Sequence, residues 1–132
     1  MTKNWPDVRP YFERAAVAHI ATLLADGSPH SVPVWVGVEG DRLAVFMETD
    51  SLKDKNLRRD PRVAISITNP AEPLDMATVR GRAVERVEAD AAMRIVDRIA
   101  EAYTGGPYDI RSGMVAFLIE IDRSWANDYT AE

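Results

Sequence analysis

The apolar positions of this chain switch between two periods. Over 7–18, Val8, Tyr11, Phe12, Ala15 and Ala16 recur at three- and four-residue spacing and predict a helix with one apolar face. Pro6 and Pro10 limit how early that helix starts. Residues 19–25 then predict a strand, and Asp26-Gly27 predicts a tight hairpin whose two central positions take positive φ. The return strand spans 30–38. Pro33 cannot donate to a ladder, so this strand lies at an edge or carries a bulge there. Glu39-Gly40-Asp41 turns the chain into 43–47, so three strands meander antiparallel with Trp35 near the middle.

The run 43–47 is apolar without interruption, as in a strand buried deeply. Thr49, Asp50 and Ser51 follow, each able to cap a helix. That short helix ends before Pro61, whose ring disfavours helical backbone in the residue before it. Residues 63–68 predict a strand that 69–73 breaks, and 76–87 a long strand in which Gly81 marks a bulge or barrel corner. Asp90 is the expected cap of a helix with an apolar stripe of Ala92, Ile95, Val96, Ile99, Ala102 and Tyr103. Gly105-Gly106-Pro107 ends it. The last strand, 114–121, precedes a short tail, and Trp5 and Trp125 are expected to be packing residues. Six strands with helices at the start, middle and late positions predict one α+β domain over 1–132, built around an antiparallel barrel.

Charge singles out one stretch. The chain carries −5, yet 50–62 sets five cations against three carboxylates for a net +2, and two of only three lysines, Lys53 and Lys55, lie in it. Cations and free N–H groups at a helix start form a plausible phosphate cradle, while a self-paired solvated helix face is the simpler account of a charge run alone. The acidic balance argues against general nucleic-acid binding. Cysteine is absent, which removes disulfides and thiolate metal sites and suits a cytoplasmic location. No apolar run approaches the roughly 20 residues of a membrane helix, and the amino terminus does not read as a signal peptide. His19 and His30, the only histidines, stand in no metal-ligand or nucleophile spacing. If the protein is an enzyme, a cofactor carries the hard step.

A series of short motifs changes the weighting. Ile20-Ala-Thr-Leu, Asp26-Gly27-Ser28-Pro29-His30, Val34-Trp35-Val36, Ser51-Leu-Lys53, the run Asn56 to Val63 and Val79-Arg80-Gly81-Arg82-Ala83 occur in that order. Together they resemble the pyridoxamine 5′-phosphate oxidase-like split β-barrel family over most of the chain. The likeness leans toward the branch that uses the deazaflavin coenzyme F420. It implies a six-stranded antiparallel split β-barrel with flanking helices, a homodimer, and an oxidoreductase that moves hydride between the coenzyme and a small conjugated organic substrate. By that resemblance Pro33, Val34 and Trp35 border the coenzyme ring, with Met47, Glu48 and Thr49 beside it on the next strand. Lys53 matches the phosphate-binding lysine, Ser51 and Asn56 lie where supporting contacts fall, and Lys55 and Arg58 are further candidates for the anionic groups. Leu52 and Val32 stand where the family's FMN oxidases place arginines, which counts against FMN. An FMN-dependent reductase or oxidase is the alternative, and a non-catalytic module for coenzyme or haem is another. Loops 69–75 and 105–112, of this chain or of the opposite subunit, are expected to shape the substrate side.

Overall fold

The computed structural model describes residues 1–131. Its elements are α1 (Trp5–Phe12), β1 (Ala18–Leu23), β2 (Pro29–Val34), β3 (Gly37–Glu39), β4 (Arg42–Glu48), α2 (Leu52–Arg59), β5 (Arg62–Asn69), β6 (Glu72–Val87), α3 (Ala89–Thr104) and β7 (Met114–Asp128). All seven strands form one antiparallel sheet in the order β2-β1-β5-β6-β7-β4-β3. Its two edges, β2 and β3, are consecutive in the chain and separated only by Trp35 and Val36. One extended segment therefore leaves one edge and joins the other, which brings the sheet's ends together as a barrel.

Several boundaries differ from the sequence expectation. The strand expected over 30–38 is two strands, because no single strand can pair with β1 and β4 on opposite edges at once. The three-strand meander is therefore absent, and the count is seven instead of six. Pro33 does lie on an edge strand, paired only with β1. The first hairpin is a three-residue loop. Gly27 N–H donates to Leu24 O and Leu24 N–H to Ser28 O, so only Gly27, at φ 85, needs the left-handed region. Asp26 instead accepts from Ser28 N–H at 2.9 Å. Asp90 is not the cap of α3; Glu88 holds that position without a side-chain bond, and Asp90 sits in the first turn. The expected tail is strand: Trp125 pairs with Thr78 in β7.

The helix expected over 7–18 is shorter, Trp5–Phe12. Pro10 removes a backbone bond from so short a helix, a defect of about 3 kcal/mol or more in an ordinary helix interior. Packing compensates: Val8 and Phe12 are fully buried against the barrel core of Ile20, Leu43, Val45, Ile65 and Ile119, at about 1.5–3 kcal/mol per large apolar side chain.

β4 is apolar from Leu43 to Met47 because both of its faces are covered there. Leu43, Val45 and Met47 belong to the core cluster, whereas Ala44 packs with Ala116 and with Ala92, Ile95 and Ile99 of α3. Small residues let that helix approach closely; a Cβ on Gly37 would lie 2.8 Å from Ile99. Gly81 marks a register shift between β6 and β7, where a Cβ would meet the Glu120 carbonyl at 2.1 Å. Among the described residues no helix is long and apolar enough to cross a membrane.

Candidate functional site

The turn from β4 into α2 is fixed by one buried carboxylate. The chain reverses at Asp50, whose φ of 63 is a conformation that aspartate tolerates better than most residues. The Asp54 side chain is fully buried beneath it. Arg86 donates to it through Nε and Nη2, each at 2.8 Å, and Asp50 N–H donates to Oδ2 at 2.8 Å. Burial pushes the Asp54 pKa up, but the bonds from Arg86 and Asp50 N–H and the charges of Arg86 and Arg58 outweigh it and hold the carboxyl below the usual range. Ser51 caps α2 by accepting from Asp54 N–H.

This network sorts the five cations of the stretch. Arg58 pairs with Asp50 at 2.8 Å and contacts Asp54. Arg59 donates to the Leu23 carbonyl and to Asn56 Oδ1, and Arg62 pairs with Asp60. The arginines thus serve the fold. Among the described residues Lys53 and Lys55 form no ion pair.

Lys53 and Ser51 line one end of a cleft of about 530 Å³. Pro33, Val34 and Trp35 form a wall where the chain crosses between the sheet edges, and Phe46, Met47 and Glu48 form the end of β4. Trp35 is held from several sides. Tyr103 stacks behind it at 4.9 Å and 12°, while Phe46 and Tyr108 meet it edge-on. Tyr103 donates its hydroxyl proton to Ala16 O at 2.6 Å and accepts from Val36 N–H at 3.2 Å. Burial pushes its pKa up, so it remains a neutral donor.

Tyr108 arrives on the loop after α3. Asp97 Oδ1 accepts from Tyr108 N–H at 3.1 Å and from Arg111 Nη1 at 2.7 Å, and that same Nη1 donates to Tyr108 O at 3.0 Å. The Asp97–Arg111 pair therefore staples both backbone groups of Tyr108. The Arg111 bond and the Tyr108 N–H hold the Asp97 carboxyl below its usual range.

Of the residues expected at a coenzyme, Pro33, Val34, Trp35, Met47, Glu48, Ser51 and Lys53 line this cleft. The other four do not. Asn56 is fully buried, donating to Thr22 Oγ1 and accepting from Arg59, and so ties α2 to β1. Arg58 is committed to the turn, Lys55 is exposed away from the lining, and Thr49 borders a neighbouring hollow with Gly113. Sequence reasoning missed Val17, Phe46 and Met114, and reached Tyr108 only as part of loop 105–112. Phe46 was hidden in an unbroken apolar run, and no periodicity singles out Tyr108 within its Gly- and Pro-rich loop. Loop 69–75 does not reach the cleft of its own chain; β6 already begins at Glu72. Neither histidine lines it, and no group of three His, Cys, Asp or Glu among the described residues could hold a metal.

Residues 5–125 match the family description "Pyridoxamine 5'-phosphate oxidase". No curated protein matches in sequence. Among solved structures, an F420 reductase is 24% identical with a TM-score of 0.79, covering 89% of this chain and 94% of its own. A conserved hypothetical protein of Mycobacterium tuberculosis is 25% identical, also at 0.79, with 97% and 86% covered. A haem-binding protein of Mycobacterium smegmatis is 26% identical at 0.73, covering 96% of this chain and 55% of its own.

Proposed function

This chain belongs to the pyridoxamine 5′-phosphate oxidase family, and we propose that it is an oxidoreductase that binds the deazaflavin coenzyme F420 in the cleft beside Trp35. The observation that carries this reading is the conjunction of a flat apolar wall with a cation that the fold does not use. At about 530 Å³, the volume falls within the range of roughly 300–1,000 Å³ common to small-molecule sites. When bound, such a coenzyme supplies the hydride chemistry, and a small conjugated organic molecule is its partner in the exchange.

The chain's own residues bind and orient. Lys53 is free to meet a phosphate, and the Ser51 hydroxyl, whose oxygen already caps α2, still has a proton to donate. Trp35, pinned by Tyr103, Phe46 and Tyr108, gives a planar ligand a rigid neighbour and excludes water from one side. Hydride transfer requires no acid–base dyad from the protein. The cleft opens beside the exposed side chains of Val17 and Leu52, which suit coverage by a second copy in a homodimer. Leu52 and Val32, in place of arginines, weigh against FMN. A haem would find only the sulfurs of Met47 and Met114 as soft ligands in the lining.

The test is a parallel titration with F420 and FMN, read by tryptophan quenching. Micromolar F420 binding with much weaker FMN binding is expected. Replacing Lys53 with alanine should weaken F420 by about 1.5–3 kcal/mol, the worth of a hydrogen bond to a charged group. Unchanged affinity in Lys53→Ala would remove the phosphate assignment, and a preference for FMN would move the protein to the flavin alternative.

A further inference from the structure

A second concentration of unused cations lies away from the cleft. Arg80 of β6 and Arg123 of β7 are direct cross-strand partners. Like charges directly opposite each other destabilise a strand pair unless something lies between them. Eight of the thirteen arginines pair with a carboxylate. Among the described residues Arg80 and Arg123 do not, nor does Lys3, although the chain as a whole is acidic.

These three residues line one hollow of about 400 Å³ with Trp5, Asp122 and Trp125. Asp122, the one carboxylate of the lining, is already engaged by Arg82 through Nε at 3.1 Å and Nη2 at 3.0 Å. The indole N–H of Trp5 is buried and has no acceptor. The rim is also built to hold its shape. Thr2 and Ala126 exchange backbone bonds at 2.9 and 2.8 Å, and the Ser124 hydroxyl donates to Lys3 O at 3.2 Å, which ties the segment carrying Lys3 along β7.

We propose that this hollow binds a small, multiply charged oxyanion of the phosphate or pyrophosphate type, at a site separate from the Trp35 cleft. Two arginines at paired register positions, both lining one hollow, offer the guanidinium forks that recognise such an anion, and Lys3 adds a point charge. Bound there, the anion turns the repulsion between Arg80 and Arg123 into a shared attraction.

The reporter is built in, because two of the three tryptophans line the hollow and the third, Trp35, can be removed. In a Trp35→Phe background, inorganic pyrophosphate should change the fluorescence saturably at low ionic strength and raise the melting temperature. Arg123→Gln alone should lower pyrophosphate affinity at least about tenfold. Arg80→Gln/Arg123→Gln should abolish the response, and without anion it should melt higher than the parent because the repulsion is gone. Lys53→Ala should leave the response intact, which separates this site from the coenzyme reading. Absence of a saturable response, its survival in the double variant, or its loss in Lys53→Ala would each overturn the proposal.

Discussion

Replacing Asp54 with asparagine removes one charge from a carboxylate that is fully buried and holds three separate pieces of the fold. It accepts two 2.8 Å bonds from Arg86 on β6, one from Asp50 N–H in the turn, and contacts Arg58 on its own helix. Breaking one partner of a buried ion pair costs about 3–5 kcal/mol, mainly because the other charge is left without compensation. Here Arg86 keeps 21% side-chain exposure and a contact to Glu88, so the lower end, about 3 kcal/mol, is expected. With an unfolding entropy of about 2.1 cal/mol/K per residue, that loss lowers the melting temperature of a chain this size by roughly 11 °C. Thermal and urea unfolding followed by circular dichroism measure it. Arg86→Met alone should also be costly, and the double variant should be less destabilised than the two single losses added together. A loss under about 1 kcal/mol for Asp54→Asn, or additive effects, would refute the account of Asp54 as the pin. The same pair sets an acid limit. The folded-state pKa of Asp54 is depressed, so its contribution is present above the ordinary carboxylate value near 3.8 and is lost as pH falls through the lower folded value.

Three further outcomes follow from the geometry. Gly81→Ala should destabilise by about 1–3 kcal/mol or shift the β6–β7 register, since its Cβ would meet a backbone carbonyl at 2.1 Å; denaturant midpoints check the first and amide exchange the second. Tyr11 donates to Asp75, a bond that, with burial, raises its pKa to about 12; the stability it contributes is complete below the ordinary tyrosine value of 10.0 and is lost as pH rises to about 12. Tyr11→Phe should remove that alkaline step from a melting-temperature profile. Arg111→Ala should release the staple on Tyr108 and weaken cleft ligands while changing the melting temperature by only about 2–4 °C, because Arg111 is more than half exposed; unchanged ligand affinity would show that Tyr108 is held by its aromatic neighbours alone.

The sequence by itself determined most of the local structure. The apolar run that becomes β4, a helix cap among Thr49, Asp50 and Ser51, the glycine stop of α3, an irregularity at Gly81 and an edge or bulge at Pro33 all follow from short-range chemistry, and the structure selects Ser51, a register shift and the edge. Its motif order also pointed to the family and to Lys53. Only the tertiary structure decided which cations are free. Arg58, Arg59 and Lys53 look equivalent as residues of one charged helix. Two of them are consumed by Asp50, the Leu23 carbonyl and Asn56, partners set by the turn and by the approach of β1. Asn56 looked like a ligand contact and is a buried tie, because the helix rotates it toward Thr22. The split of 30–38 into β2 and β3 also lay beyond sequence reasoning. A strand's alternation specifies which residues face inward, whereas the choice of partner at each end depends on how the whole sheet closes. Trp35 and Phe46 meet across the β3–β4 hairpin, and Tyr108 joins them from the loop after α3, a long-range contact of a kind that leaves no period in the chain.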